Sequence, residues 1–323
     1  MKPQFFKIIQ ILVSVCLLVF VFYQTGLFSS DGRERFTAIL TGANIAILMI
    51  SILVGLLINM SSAFKWYLLV RARQMKAGFW RIFSYYLVGQ FSNLFLPTSV
   101  GGDVVRAYQL GKYCDNQTDA MASVFVERYT GVLVLLFIAG IAVLSRLTVF
   151  NVDFVITSLI LFAVILGAMA WMLINDQFYQ LVKRLISNRF TFTHKIFIKI
   201  DGLLIAINSY RNDPSAISWA LLNSLIFYFL AVVNVYVTAL VFQVDVSFVD
   251  MLIATPIIML IMNIPISVGN LGLMEFAYIT ILQMLGYGAE LGLSVAILMR
   301  LKSLFDGVIG GVLYPIFVTN KVE

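Results

Sequence analysis

The sequence predicts an all-α protein that crosses a membrane several times, and three observations lead to that prediction. Hydrophobic residues make up 61% of the 323 residues and charged residues only 12%, and the mean hydropathy is +0.97. Soluble domains are by contrast about 45–50% apolar and about 25% charged. The apolar residues lie in long runs, and two short runs end in the same string, P-x-S-V-G. We predict one integral membrane domain over 1–323, with about six full spans and two re-entrant helical hairpins.

The full spans follow from run length, because a helix needs about 20 apolar residues to cross a bilayer. The runs that reach or approach this length are 8–23, 38–60, 121–145, 154–173, 217–242 and 290–318. The polar residues 31–35 predict a loop between the first two spans. No small-residue cleavage site follows the first run, so we expect an uncleaved span rather than a signal peptide.

Two basic stretches, 65–81 and 175–213, predict the orientation of the spans. Basic loops stay on the cytoplasmic side, so we expect both termini in the cytoplasm and the chain in the cytoplasmic (inner) membrane. Within the second stretch, apolar residues recur at helical spacing over 196–207. This pattern predicts an amphipathic helix, either on the membrane surface or packed under the transmembrane helices.

The two P-x-S-V-G strings predict helix breaks inside the membrane. They are Pro97-Thr-Ser-Val-Gly101 and Pro265-Ile-Ser-Val-Gly269. Proline cannot continue the helical hydrogen-bond ladder, and the following glycines permit a reversal. The first string separates the apolar runs 82–96 and 104–110, and the second separates 248–264 and 271–285. Pro256 also breaks the run 248–264. Two hairpins entering from opposite faces predict inverted pseudo-repeat halves, about 37–174 and 214–318, joined by 175–213; pairs of short crossing helices remain the alternative.

Helix breaks at mid-depth leave backbone groups unpaired, which hydrocarbon does not tolerate, so the breaks predict buried polar pockets. Helices that restart after the glycines present N-terminal amides, which favour an anion. The candidate substrate-binding residues around the breaks are Asn93, Ser99, Gly101, Gly102, Asn263, Ser267, Gly269, Asn270 and Gly272. The alternative interpretation is a pair of kinks relieved by Ser99, Ser267 and water.

Eight charged residues fall within apolar segments, where charges pair or line polar cavities. They are Asp103, Arg106, Glu127, Arg128, Glu275, Arg300, Lys302 and Asp306. Arg106 lies three residues after Asp103, and Lys302 lies four before Asp306, so each pair can meet on one helix face. Arginine suits a phosphate because its planar fork binds two oxygens, so one of these cations could receive an anionic headgroup. The alternative is a set of purely structural ion pairs.

Catalytic, metal and cofactor chemistry have no support in the sequence. Cys16 and Cys114 are far apart, and the single histidine, His194, lies in a basic stretch. No P-loop or serine elbow occurs, and G-N-L-G at 269–272 lacks the strand and βαβ unit of a nucleotide site. The basic residues sit at the ends of apolar segments, so they do not predict nucleic-acid binding. We expect no enzyme activity, no metal and no cofactor.

The motifs N-L-F-L-P-T-S-V-G-G-D-V-V-R at 93–106, Glu127-Arg128, and P-I-S-V-G-N-L-G-L-M-E at 265–275 resemble the lysylphosphatidylglycerol synthase transmembrane-region family. The resemblance covers nearly the whole chain. It implies a flippase-like membrane domain with two inverted halves and re-entrant helices, which moves or binds a lipid with a modified headgroup. Some members join this domain to a soluble aminoacyl transferase. Nothing in these 323 residues resembles that enzyme, so we expect no lysyl transfer.

Three hypotheses follow for the function. The first is a lipid transporter that passes an anionic or modified headgroup, in some relatives polyprenyl-linked, through a polar cavity between the halves. The second is a membrane enzyme, or the membrane subunit of one, acting on lipid-linked sugars. The third is a non-transporting scaffold for a lipid-synthesis enzyme. The sequence leaves open the lipid, the direction of transport, the coupling ion, and whether the chain pairs with a second copy or with such an enzyme.

Overall fold

The computed structural model describes residues 3–25, 29–95, 101–145, 204–264 and 266–319, together with residues 157, 160, 164 and 167. All regular elements within these residues are helices. Of the described helices, Ile45–Ala72, Gln117–Ser145 and Pro214–Leu240 are long and apolar enough to cross a membrane. The prediction of an all-α protein with several membrane spans is therefore confirmed. The number of six spans stays a prediction, since most of the expected span 154–173 lies outside the described residues.

The described ranges contain ten α-helices. They are α1 (Pro3–Gln24), α2 (Ser30–Thr41), α3 (Ile45–Ala72), α4 (Phe79–Phe95), α5 (Gly101–Tyr113), α6 (Gln117–Ser145), α7 (Pro214–Leu240), α8 (Phe248–Met262), α9 (Leu273–Met284) and α10 (Ala289–Thr319). Short 3₁₀ turns at Ser209–Asn212 and Val268–Asn270 precede α7 and α9.

Three local predictions from the sequence are wrong. The expected loop at 31–35 is helical, within α2. The second span does not begin at residue 38, because the chain breaks after α2 and α3 starts at Ile45. There the side chain of Asn44 accepts hydrogen bonds from the amides of Ala46 and Ile47, at 3.0 and 3.3 Å. Pro256 does not break its run, since α8 continues through it.

The predicted amphipathic segment 196–207 is described only from residue 204. Ala206 and Tyr210 are buried there, in a cluster with Leu69 of α3 and Ala122 of α6. The Tyr210 hydroxyl donates to the Leu69 carbonyl at 3.0 Å. The described end of this segment thus packs against the transmembrane helices. Residues 196–203, and His194 before them, lie outside the described residues.

Helices α3–α6 (the first series) and α7–α10 (the second series) follow the same order of lengths. The first series has 28, 17, 13 and 29 residues, and the second has 27, 15, 12 and 31. The packing between the two series is reciprocal: α4 packs against α10, and α8 packs against α6. Each series thus places its second helix on the last helix of the other.

Helices α3 and α7 also pack against each other across the two series, and they run antiparallel. Ser51 near the start of α3 bonds Thr238 near the end of α7 at 2.9 Å. Lys65 near the end of α3 donates to Ser224 in the first half of α7 at 3.0 Å. The first helices of the two series therefore point in opposite directions.

The two short helix pairs are antiparallel hairpins. In the first, the Gly102 amide of α5 donates to the Asn93 side chain of α4 at 2.7 Å. A Cβ at Gly102 would lie 2.0 Å from the Gly89 carbonyl oxygen, so the two helices approach at a spacing that only glycine allows. In the second, the Tyr287 hydroxyl donates to Asp250 at 2.7 Å and joins the open ends of α8 and α9. That either hairpin is re-entrant stays a prediction.

Candidate functional site

Four of the predicted charged residues form a buried network where α5 meets α6. Arg106 donates from Nε to Asp103 at 3.0 Å and also pairs with Glu127. Arg128 forms a bidentate ion pair with the same aspartate, with Nε 2.6 Å from Oδ2 and Nη2 2.9 Å from Oδ1. The network therefore joins two cations and two carboxylates, as expected of charged residues within apolar segments.

Local sequence explains the geometry of this network. Asp103 lies in the first turn of α5, where a carboxylate is favoured by the helix dipole. Arg106 follows one turn later and is only 1% exposed. Its guanidinium lies 4.7 Å from the ring centroid of Trp66 and 5.1 Å from that of Tyr86, which are favourable cation–π distances. Its Nη1 has no hydrogen-bond partner among the described residues.

A cavity opens beside the network, between the two series. Its volume for water-sized groups is about 90 Å³. A buried water needs only about 10–15 Å³ on this measure, so several waters or a small polar group would fit. The first series contributes Lys65, Tyr86, Glu127 and Arg128 to the lining, and the second contributes Asn223, Tyr228 and Asn263. Arg128 bonds Asp103 through Nε and Nη2, and its side chain is 51% exposed, so a ligand in the cavity can reach the guanidinium.

The charges around this cavity do not cancel. Asp103 and Glu127 neutralise two of the three cations Lys65, Arg106 and Arg128, which leaves one positive charge when all are ionised. Lys65 is buried and donates a hydrogen bond to the neutral hydroxyl of Ser224. An uncompensated charge in a low-dielectric site is unfavourable, so the site favours an added anion.

The second series carries a matching ion pair where α9 meets α10. Arg300 donates from Nε to Oε1 of Glu275 at 2.6 Å and from Nη2 to Oε2 at 3.0 Å. Nη2 also donates to the Asn270 carbonyl at 3.0 Å. Glu275 in turn accepts from the Gly272 amide at 2.9 Å, which caps α9. The two restarting helices thus have an amide occupied by the protein itself: Gly272 by Glu275, and Gly102 by Asn93.

The turn that holds this second pair rests on α1. Gly269, Asn270 and Gly272 all have positive φ, of 55°, 58° and 77°. The Val268 amide donates to the Ser14 hydroxyl of α1 at 3.0 Å, and a Cβ on Gly272 would lie 2.8 Å from Leu17. Ser267 is buried, and its hydroxyl has no partner among the described residues. A turn of left-handed residues is therefore held in place by the first helix.

Lys302 and Asp306 do not form the pair that their spacing predicts. Lys302 donates to Ser51, Asn234 and Thr238, at 2.7, 2.7 and 2.6 Å. Asp306 accepts instead from Asn59 of α3 at 2.8 Å. Both residues bond to other helices instead, because neutral oxygens of α3 and α7 surround the ammonium and offer it more hydrogen bonds than the half-buried carboxylate of Asp306.

The predicted residues therefore lie in three places rather than around one cavity. The lipid-transport hypothesis expects the eight charged residues other than Asp306 to line a common cleft. Of these seven, Glu127 and Arg128 line the described cavity, and Asp103 and Arg106 lie behind them. Glu275 and Arg300 lie at α9 and α10, and Lys302 lies between α3 and α7. Asn263 lines the cavity while its amide donates to Met259 at 2.8 Å. The predicted Pro97, Ser99 and Pro265 lie outside the described residues.

Sequence reasoning missed several cavity residues, above all Lys65. It counted as one of a cytoplasmic basic group, although it lies within α3. The available signal was its spacing from Asn59 and Ser62, which puts three polar residues on one buried helix face. Tyr86, Asn223 and Tyr228 carried no comparable signal, because single polar residues in apolar helices are common. Within the described residues, no group of histidine, cysteine or acidic side chains could hold a metal.

Comparisons with known proteins bear on the whole chain. It matches no curated protein and no solved structure. The sequence pattern of one family matches residues 7–311, which is nearly the entire length and includes both ion-pair sites. That family is described as the lysylphosphatidylglycerol synthase TM region. The chain belongs to this family of lipid-related integral membrane proteins.

Proposed function

We propose that the protein is a lipid transporter of the flippase type, which receives an anionic or modified lipid headgroup in the cavity between the two series. The observation that carries the proposal is the cavity itself, with Arg128 half-exposed beside the buried Lys65. The excess positive charge favours a phosphate, and the planar guanidinium of Arg128 can donate two bonds to it. The acyl chains would stay in the bilayer while the headgroup crosses.

The arrangement of the two series supports transport rather than binding alone. We propose that they are inverted halves, since α3 and α7 are antiparallel and the helix lengths recur in order. Transporters built from inverted repeats place their substrate site at the interface of the repeats, near the bilayer midplane. The short hairpins α4–α5 and α8–α9 would then be re-entrant from opposite faces, with both termini in the cytoplasm and the chain in the inner membrane.

Translocation in proteoliposomes tests this function. Vesicles would carry fluorescent phosphatidylglycerol in both leaflets, and an impermeant reductant would bleach the outer leaflet only. We expect the wild type to expose inner-leaflet phosphatidylglycerol to the reductant, and fluorescent phosphatidylcholine, which lacks net charge, much less. Arg128→Gln should abolish movement because it removes the exposed half of the anion site.

A matched control is Arg73→Gln, since Arg73 pairs with Asp119 at 2.9 Å and does not line the cavity. This variant should transport like the wild type. Wild-type vesicles that bleach no further than protein-free vesicles, with either lipid, would reject lipid transport. Equal transport by wild type and Arg128→Gln would reject the cavity as the headgroup site while leaving transport itself intact.

A further inference from the structure

The oxygens around Lys302 form a compact cradle between α3 and α7. Ser51 supplies Oγ, Asn234 supplies Oδ1 and Thr238 supplies Oγ1, all 2.6–2.7 Å from the ammonium nitrogen. Ser51, Thr238 and Lys302 are buried. No carboxylate among the described residues forms an ion pair with Lys302. The positive charge is thus solvated by three neutral oxygens.

The hydrogen bonds around the cradle leave each of its three oxygens able to accept from the cation. The Thr238 hydroxyl lies 2.5 Å from the Asn234 backbone carbonyl and 3.7 Å from Met299 Sδ, and its oxygen accepts from Lys302. Ser51 Oγ lies 2.9 Å from Thr238 Oγ1, and either hydroxyl can be the donor of that bond. The Asn234 amide nitrogen donates to Met299 Sδ at 3.7 Å, which turns its oxygen toward Lys302. The three oxygens therefore converge on one position, which the Lys302 ammonium occupies.

The donor set indicates the class of cation. Magnesium needs oxygens at about 2.0–2.1 Å, and calcium takes six to eight, usually with carboxylates, at about 2.3–2.6 Å. This cradle is wider and carries no negative charge. Backbone carbonyl oxygens, which carry no net charge, replace the hydration shell of K⁺ in channels. The size and chemistry suit K⁺ or an alkylammonium ion.

A second acceptor for the Lys302 ammonium lies one turn away. Asp306 is four residues further along α10, half-buried, with one oxygen bonded to Asn59. Residues at this spacing on a helix face each other, and the lysine side chain is long and flexible. Its ammonium can therefore leave the cradle for Asp306 without moving α10. That exchange would vacate three oriented oxygens.

We propose that Ser51, Asn234 and Thr238 form a binding site for a monovalent cation, which the Lys302 ammonium fills in this structure and vacates by pairing with Asp306. The site joins α3 and α7, which pack against each other across the two series. The proposal does not depend on lipid transport, because each measurement below reads cation binding alone.

Thermal unfolding of Lys302→Ala in detergent tests the cradle. In choline chloride, this variant should unfold well below the wild type, since its oxygens lose their partner. Replacing choline with KCl or methylammonium chloride at equal ionic strength should raise its melting temperature by about 5 °C, as a saturating ligand does. Arg73→Ala, altered in the pair with Asp119, should show no such difference between salts.

The double variant Lys302→Ala with Thr238→Val removes one cradle oxygen and should lose the rescue. No difference between choline and both other salts for Lys302→Ala would overturn the site, as would an equal rescue of the double variant. Failure of Lys302→Ala to fold even when prepared in KCl would also count against it.

Equilibrium binding of radioactive rubidium, an ion with the chemistry of K⁺, tests exchange in the protein as it exists. The wild type should bind rubidium, with Thr238→Val at least about tenfold weaker because an oxygen is lost. Lys302→Ala should bind more tightly than the wild type, since no internal ammonium competes. Rubidium that binds Lys302→Ala but not the wild type would show that Lys302 never leaves, and would overturn the exchange.

Discussion

Arg300 grips the carboxylate of Glu275 with Nε at 2.6 Å and Nη2 at 3.0 Å, from 25 residues further along the chain. Arg128 grips Asp103 in the same way, with Nε at 2.6 Å and Nη2 at 2.9 Å, again across 25 residues. Each carboxylate is the third residue of its helix, and each arginine the twelfth of the next. This recurrence ties the two series together at the level of individual side chains and supports their interpretation as repeats.

The two series differ in how far each arginine is exposed. The side chain of Arg128 is 51% exposed and borders the cavity, whereas that of Arg300 is 23% exposed. Arg106 and Glu127, which enlarge the first network, correspond by helix position to Tyr278 and Met299. The first series thus carries the open, charge-rich version of the pair, which is why the proposed headgroup site lies there.

We first predict the energetics of the second pair. Glu275→Gln should destabilise the protein toward the lower end of the about 3–5 kcal/mol typical of a broken buried ion pair, because Arg300 retains some contact with solvent. Arg300→Gln should cost a similar amount, and the double variant clearly less than the sum, since no charge is then left alone. Unfolding by denaturant in detergent measures each free energy. Additive effects would mean that the two charges do not stabilise one another.

The sequence predicted the fold class and the long helices because hydrophobic run length is a local property. It also predicted that Arg106 pairs with Asp103, because the two lie within one helical turn, but it did not predict the second partner, Arg128 on the next helix. It did not predict the partner of Lys302, since Ser51 lies 251 residues away and no local pattern marks a neutral oxygen as an acceptor. The prediction of a loop at 31–35, where the structure has α2, failed because a short polar helix resembles a loop in composition.

The separation of the charged residues into three places also lay beyond the sequence. Equal numbers of acids and bases suggested one neutral cleft, but only packing decides which charges meet. Lys65 joins the cavity because α3 and α7 run antiparallel and bring it to Ser224, 159 residues later. A long-range contact of this kind depends on the arrangement of whole helices, which no short motif specifies.

Our second prediction concerns the first hairpin. Gly102→Ala should separate α4 from α5, because its Cβ would lie 2.0 Å from the Gly89 carbonyl oxygen, a backbone atom that cannot rotate away. Overpacking typically costs about 1–3 kcal/mol, and more where backbone must move. The melting temperature in detergent should fall by several degrees. Gly55→Ala is the matched control, since nothing lies within 4 Å of its Cβ; that change should be neutral or slightly stabilising.

A third prediction tests the contact between the series through α4 and α10. A Cβ at Gly310 would lie 2.0 Å from the Leu87 carbonyl oxygen, so Gly310→Ala should weaken this contact as strongly as Gly102→Ala weakens the hairpin. Gly140→Ala, at an open position in α6, should leave the melting temperature unchanged or slightly raised. If both variants melted alike, α4 and α10 would not be packed as closely as the structure places them.

The last prediction concerns the antiparallel α3 and α7, on which the inverted-repeat proposal rests. Ser51→Cys with Thr238→Cys, in a chain whose Cys16 and Cys114 are replaced by serine, should form a disulfide on mild oxidation. The two native oxygens lie 2.9 Å apart, so the side chains already point at each other, as disulfide geometry requires. Loss of labelling by a thiol-reactive polymer, seen as a smaller shift on a denaturing gel, would report the bond.

The control joins Ser51→Cys to Ala220→Cys, the position of α7 that matches residue 51 in helix order. Parallel helices would favour that pair, whereas antiparallel helices hold it apart. Rapid oxidation of the control with none in the Ser51 and Thr238 pair would therefore rule out the inverted arrangement.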